Sequence, residues 1–425
     1  MSTMAPAPTE HPAGQAAQRR TSGRLSRGGR LWLYALAVLV ALSLARVVTG
    51  ADDLTSAGTL RAAIIAAIPI ALAGLGGLWS ERAGVVNIGL EGMMILGTLG
   101  AGYYTYYQGV WIGLLGAIMF GAIGGALHAL ATVVFAVDHI VSGVAINIIA
   151  AGVAAFLAEV FFADLAGGGA TQSPSLAQPP SITVPGIAGW SDDLADRGWF
   201  VVSDLAGLVN ALTADVSSFT VLALALIAGT GWVLWHTGFG LRLRSCGEAP
   251  TSAETLGINV YRYKFVAVTV SGMFAGFGGC YLALVASSGY ANGQTGGRGY
   301  IGLAAMIFGN WSPGGLLSGS LLFGFTEGAR LRSGGESVHA LLLVVALGLL
   351  VLAGWQIWKG HRTAAVLSAA VGAAALWWYL VTDTIPGDFT EMTPYVTTLL
   401  VLALASQRLR MPAADGQRYR RGQAG

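Results

Sequence analysis

Apolar runs of roughly twenty residues, each closed by a short polar interruption, recur along nearly the whole chain. A helix of that length crosses the ~30 Å hydrocarbon core of a bilayer. The runs fall at residues 31–48, 62–78, 85–107, 111–137 and 140–162, and resume at 219–235 and 265–286. Three more follow at 340–355, 364–381 and 394–405. Between 300 and 332 the pattern changes, because two apolar halves, 301–308 and 316–325, flank the sequence GNWSPGG from Gly309 to Gly315. A Pro-Gly-Gly break at membrane depth is tolerated only inside protein or facing a cavity. The first half is also too short for an ordinary span. The pattern predicts an all-α polytopic membrane protein with about ten to twelve transmembrane helices, some of them broken or re-entrant.

Composition agrees: 54% of the chain is hydrophobic and 10% charged, against about 25% charged in an ordinary soluble protein. The placement of charge then sets the topology. Residues 1–30 read as a disordered basic cytosolic tail, 31–406 as the transmembrane domain and 407–425 as a second basic cytosolic tail. The interior loop 238–264 carries Arg242, Arg244, Arg262 and Lys264. Basic segments favour the cytosolic side, so both tails and this loop share it, which requires an even number of crossings. Counting 300–332 as two crossings gives twelve, with Arg330 and Arg332 left on the outer side. The interruption at 163–216 holds six acids and one base, Arg197, and reads as an extracytosolic loop. It is too long for a connector, so it is either a docking or lid element or a tolerated insertion. Within it, Trp199–Leu212 reads as a short interfacial amphipathic helix. Cys246 and Cys280 fall in a basic loop and an apolar helix, so no disulfide is expected.

Few residues offer chemistry. In GLWSERAGVVNIGLEGMM (77–94), Glu81 and Arg82 read as a turn at one membrane face. A helix starting near Val85 would put Asn87 and Glu91 on one face. They either line the path of a polar solute or belong to a packed hairpin in which Glu91 is a structural cap. Gly121 and Gly125, like Gly272 and Gly276, have the spacing of close helix-packing faces. In the loop 238–264, Glu248, Pro250, Ser252 and Glu254 begin a short helix that Gly257 ends. Such a helix between basic clusters is either a handle for an engine subunit or a solvated inside loop. No Gly-Lys-Ser/Thr phosphate cradle exists, since Lys264 and Lys359 follow Tyr263 and Trp358. No H-E-x-x-H, G-x-S-x-G or C-x-x-C is present either, so no enzymatic or metal site is expected. His128, His236 and His339 read as helix-end or packing residues.

The stretches 77–94, GEAPTSAETLGINVYRYK (247–264), SGMFAGFGGCYLAL (271–284) and AAMIFGNWSPGGLLSGSLLFG (304–324) together resemble permease subunits of ATP-binding-cassette (ABC) importers. The resemblance is to the ribose and branched-chain-amino-acid type, and within it to a nucleoside subgroup that works with a basic membrane lipoprotein. The tail 393–422 fits the same subgroup. The resemblance implies that 238–264 is a coupling loop docking on the ATPase, with Gly247, Glu248, Ala249, Ala253 and Gly257 at the matching positions. It implies a separate ATP-binding subunit, so no cofactor in this chain, a second related permease and an extracytosolic substrate-binding lipoprotein. It places the chain in a prokaryotic plasma membrane with both termini cytoplasmic, and involves no nucleic acid. Asn310 and Trp311, at the second helix break, join Asn87 and Glu91 as candidate path residues. The departure from the family is 338–382, a two-helix insertion. A secondary transporter with a discontinuous-helix site is the alternative.

Overall fold

The centre of the molecule is a helix, α2 (Ala57–Arg82), in which every side chain from Ala66 to Glu81 is buried. Ser56 caps its start by accepting from Thr59 N. We describe the protein from a computed structural model that covers residues 27–390, 392–393, 396–397, 399, 409–420 and 422. The tail expected at 1–30 lies outside the described residues up to 26, and Arg27 already opens α1 (Arg27–Thr49). The span expected at 394–405 lies mostly outside them.

After α2 come α3 (Leu90–Gln108), α4 (Val110–Ala129, continued by a π turn) and α5 (His139–Phe162). Two short helices, α6 (Ile187–Ala195) and α7 (Val202–Thr213), precede α8 (Ser218–His236). Next are α9 (Gly238–Glu248), α10 (Pro250–Thr255) and α11 (Val260–Tyr281, continued by a π turn). The chain then forms α12 (Arg298–Phe308), α13 (Pro313–Ser333), α14 (Gly335–Trp358), α15 (Arg362–Val381) and α16 (Gly387–Thr390). Among the described residues, seven helices are long and apolar enough to cross a membrane. This is an all-α multi-pass membrane protein.

The two glycine faces expected from spacing meet each other. A Cβ on Gly272 of α11 would stand 2.2 Å from the Gly121 carbonyl of α4, and one on Gly125 2.7 Å from the Val268 carbonyl. Only hydrogen at these positions lets the two backbones touch.

The region 300–332 returns the chain to the α10 end of the molecule and back. Its break sits beside Arg82 at one end of α2, and Arg332 lies against Gly58 at the other. The eleven residues of α12 span about 16 Å, roughly half of a bilayer core. The non-helical segment 287–297 leads directly into it. Arg330, which charge counting left on the outer side, is paired with Glu327 (2.9 Å).

The interruption 163–216 is a folded cap at the end opposite α10. Leu176 N and Ser173 N donate to the Ser288 and Tyr290 carbonyls (2.9 and 3.0 Å). Inside it Asp204 of α7 is buried, accepting from Ser43 and Thr55 and pairing with Arg46 (3.4 Å). The polar side of α7 therefore faces protein, while Val202, Leu205, Leu208 and Leu212 are exposed. That inverted amphipathicity fits the interfacial helix expected at 199–212. The insertion 338–382 forms the hairpin α14–α15, with Ala340 packed on Ala45 of α1.

Candidate functional site

Three segments converge where α2 ends beside α10. Glu81 and Arg82 do not form the turn expected from their adjacency. They are the last turn of α2, and Glu81 is only 3% exposed. Trp311 Nε1 donates to Glu81 (2.6 Å), and Arg82 Nε and Nη2 donate to the Trp311 carbonyl (3.0 and 2.6 Å). These bonds hold Asn310 and Trp311 at φ +53° and +50°, a left-handed pair that side chains other than glycine's disfavour. The break between α12 and α13 is thereby pinned to the end of α2.

The segment expected to couple is built against the same point. A Cβ on Gly247 would stand 2.3 Å from the Arg82 carbonyl and 2.9 Å from Gly84 N, so α9 meets the end of α2 backbone to backbone. Glu248 lies 3.9 Å from Arg82. Ala249 leads into α10, which begins with Pro250 in its first turn, as propline-compatible helix starts do. Gly257, at φ +81°, closes the short helix as the cap logic required. Ala253 is buried, while Thr251, Ser252, Thr255 and Leu256 stand exposed on a protruding ridge.

The connection from α2 to α3 is unwound from Ala83 to Gly89, where a helix had been expected from Val85. Side chains distant in sequence satisfy its backbone. Ser80 donates to the Val85 carbonyl, Lys264 to Gly84 O (3.2 Å) and Asn147 to Ile88 O (3.0 Å). His128 Nε2 lies 3.1 Å from Val86 O and its Nδ1 2.9 Å from Ser142 Oγ. Asn87 accepts from Gly89 N (3.0 Å) and donates to Ser271 (2.8 Å), fully buried. Glu91 accepts from Gly297 N (2.9 Å) and Gly299 N (2.7 Å), capping the start of α12.

The four path candidates thus separate. Asn310 and Trp311 join the candidate coupling residues Gly247 and Glu248, while Asn87 and Glu91 lie inside the helix packing with partners in this chain. A segment with no role expected from its sequence is 287–297, reading SSGYANGQTGG. It descends from the cap to the start of α12, with Ala291, Asn292, Gly293 and Gly296 exposed. The signal was present: a polar glycine-rich run directly before a helix too short to cross.

These features describe a multi-pass membrane protein in which an exposed short helix, α10, stands beside the break between α12 and α13. The chain belongs to the family described as the permease component of branched-chain amino acid transport systems, whose model matches residues 59–352. It is the membrane permease subunit of an ABC importer; the secondary-transporter alternative gains no support. A guanosine ABC transporter permease of Bacillus subtilis is 36% identical, over 63% of this chain and 79% of its own length. A nucleoside ABC transporter permease of Lactococcus lactis is 33% identical, over 84% and 94%. A putative glucose ABC transporter permease of Haloferax volcanii is 31% identical, over 86% and 98%. No solved structure matches the chain.

Proposed function

We propose that the chain forms one half of the translocation path of a nucleoside importer, with α10 receiving the stroke of a separate ATP-binding subunit. The observation that carries the substrate class is similarity, over most of the chain, to permeases named for guanosine and nucleosides. The site is chemically compatible: the exposed part of 287–297 offers Asn292, backbone amides and glycines rather than charge. A nucleoside is neutral, flat and rich in hydroxyls, so its path needs hydrogen-bonding groups. Exposed non-helical backbone at bilayer depth must face a cavity or another protein, which fits a path shared with a second permease. The partners are that permease, the ATPase, whose nucleotide this chain does not bind, and a substrate-binding lipoprotein received at the cap 163–216. In this arrangement α10 and both termini are cytoplasmic, in a prokaryotic plasma membrane. Uptake of radiolabelled nucleosides and pentoses by the reconstituted complex tests the reading. Nucleosides competing for uptake while pentoses do not is the expected result, and the reverse overturns it.

The role of α10 has its own test. A Cβ on Gly257 meets no atom within 4 Å, so Gly257→Val adds only backbone strain at φ +81°. That strain is about 1–2 kcal/mol. The variant should insert and retain its ATPase, with substrate-stimulated hydrolysis and uptake both strongly reduced. Wild-type stimulation in Gly257→Val would remove α10 from the coupling role.

A further inference from the structure

The segment 409–420, read from sequence only as part of a basic tail, lies across the coupling site. Arg410 N donates to Asn310 Oδ1 (2.7 Å), Ala413 N to Glu248 (3.2 Å) and Ala414 N to the Gly247 carbonyl (2.9 Å). Arg418 pairs with Asp138 at the start of α5 (3.3 Å). Tyr419 donates to Glu254 of α10 and packs with Cys246, Ala253 and Val260. One short stretch therefore ties together the α12–α13 break, α9, α10 and α5.

Beneath it sits Asp415, 8% exposed, and apart from the adjacent Gly416 N–H no donor among the described residues bonds its carboxylate oxygens. The group it faces is the carboxyl of Glu81. Two buried carboxyls in contact do not both stay charged, and a proton between them supplies the missing donor. The other charged or titratable groups around them are Arg82 of α2, Lys264 of α11, Glu248 and Cys246 of α9, and, beyond Lys264, His139 of α5. Burial pushes the Asp415 carboxyl up to about 7, against the opposing pull of the Glu81 hydrogen bond, Lys264, the Gly416 N–H and Arg82.

We propose that residues 409–420 are a coupling strap, locked by a proton shared between Glu81 and Asp415, that holds α10 to the end of α2 and to the α12–α13 break. The strap lets a stroke delivered to α10 reach the path, and in that respect it rests on α10 being the ATPase contact. Its pH dependence has a definite sign. Asp415 holds its proton more tightly docked than free, so docking is strongest below the ordinary aspartate range. Docking weakens as pH rises from that range toward about 7. Asp415→Asn keeps a neutral donor facing Glu81 and removes the Asp415 share of that dependence.

Cys246 reports the strap without any ATPase. It is fully buried under Tyr419, with its thiol pushed up to about 11 by burial. In full-length Cys280→Ser protein, maleimide labelling of Cys246 is compared with that in the same protein carrying Asp415→Asn. The comparison runs from about pH 5.5 to about pH 7.5, and pairing the variants at each pH cancels the thiol's own titration. Labelling should be equally slow in both at the acid end and several-fold faster in the Asp415 protein at the neutral end. Equal labelling at every pH overturns the proton lock. In the reconstituted complex, Tyr419→Ala should retain the ATPase while ATP hydrolysed per substrate rises several-fold, and an unchanged ratio overturns the coupling role. If wild-type complex shows no ATPase contact at α10, the functional reading fails, and the labelling result still decides whether the strap is locked by a proton.

Discussion

A valine at Gly247 is expected to abolish transport, a larger loss than any substitution on the exposed ridge of α10. Its first side-chain atom would stand 2.3 Å from the Arg82 carbonyl and 2.9 Å from Gly84 N. Both are backbone atoms that cannot rotate away, and Arg82 is itself fixed to the Trp311 carbonyl. Relief requires α9 to move off the end of α2. That movement breaks the bond from Ala414 N to the Gly247 carbonyl and widens the Arg82–Glu248 pair. Overpacking of a rigid contact costs about 1–3 kcal/mol, and a backbone clash belongs at or beyond the upper end. Gly257→Val, which meets open space, should leave assembly intact, so the two valines separate a lost contact from a strained cap. The measurements are yield of complex with the ATPase and initial uptake rate. Wild-type values of both in Gly247→Val would show that α9 and α2 do not meet as described.

Much of this site was legible because its signals are local. Gly257 announced a cap, Pro313-Gly314-Gly315 announced a break, and the paired glycine spacings on α4 and α11 announced two faces that pack closely. In each case the backbone constraint lies within a few residues of the residue that reveals it. The spans were readable for the same reason, since burial in lipid imposes one length on them all.

What could not be read depends on partners far along the chain. The unwound stretch from Ala83 to Gly89 looks helical in sequence, and it stays open because Lys264, His128 and Asn147 supply donors to its carbonyls. With no helix there, Asn87 and Glu91 do not share a helical face. The pairing of Trp311 with Glu81 joins residues 230 apart in sequence. The strap 409–420 has neither apolar periodicity nor caps to mark it as ordered. Its order comes from contacts with α9, α10 and the break, none of which is near it in sequence.

Glu91→Leu is expected to cost the folded subunit before it costs the transport step. Glu91 bonds both free N–H groups at the start of α12, those of Gly297 and Gly299. A carboxylate there also meets the positive end of the helix dipole. The site is 7% exposed, and neither leucine nor lipid offers an acceptor in its place. Each buried donor left unpaired costs about 1–3 kcal/mol, so the pair amounts to about 2–6 kcal/mol. The start of α12 would loosen first, together with the adjoining 287–297 segment that we place along the path. Glu91→Gln keeps the shape and one acceptor oxygen but turns an amide donor toward the other N–H, so an intermediate loss is expected. Assembled complex and uptake measured on the same samples decide the matter. Parallel decline of both, graded from wild type through glutamine to leucine, is the expected outcome. Full assembly with slow uptake in Glu91→Leu would instead place the carboxylate in the path of the solute.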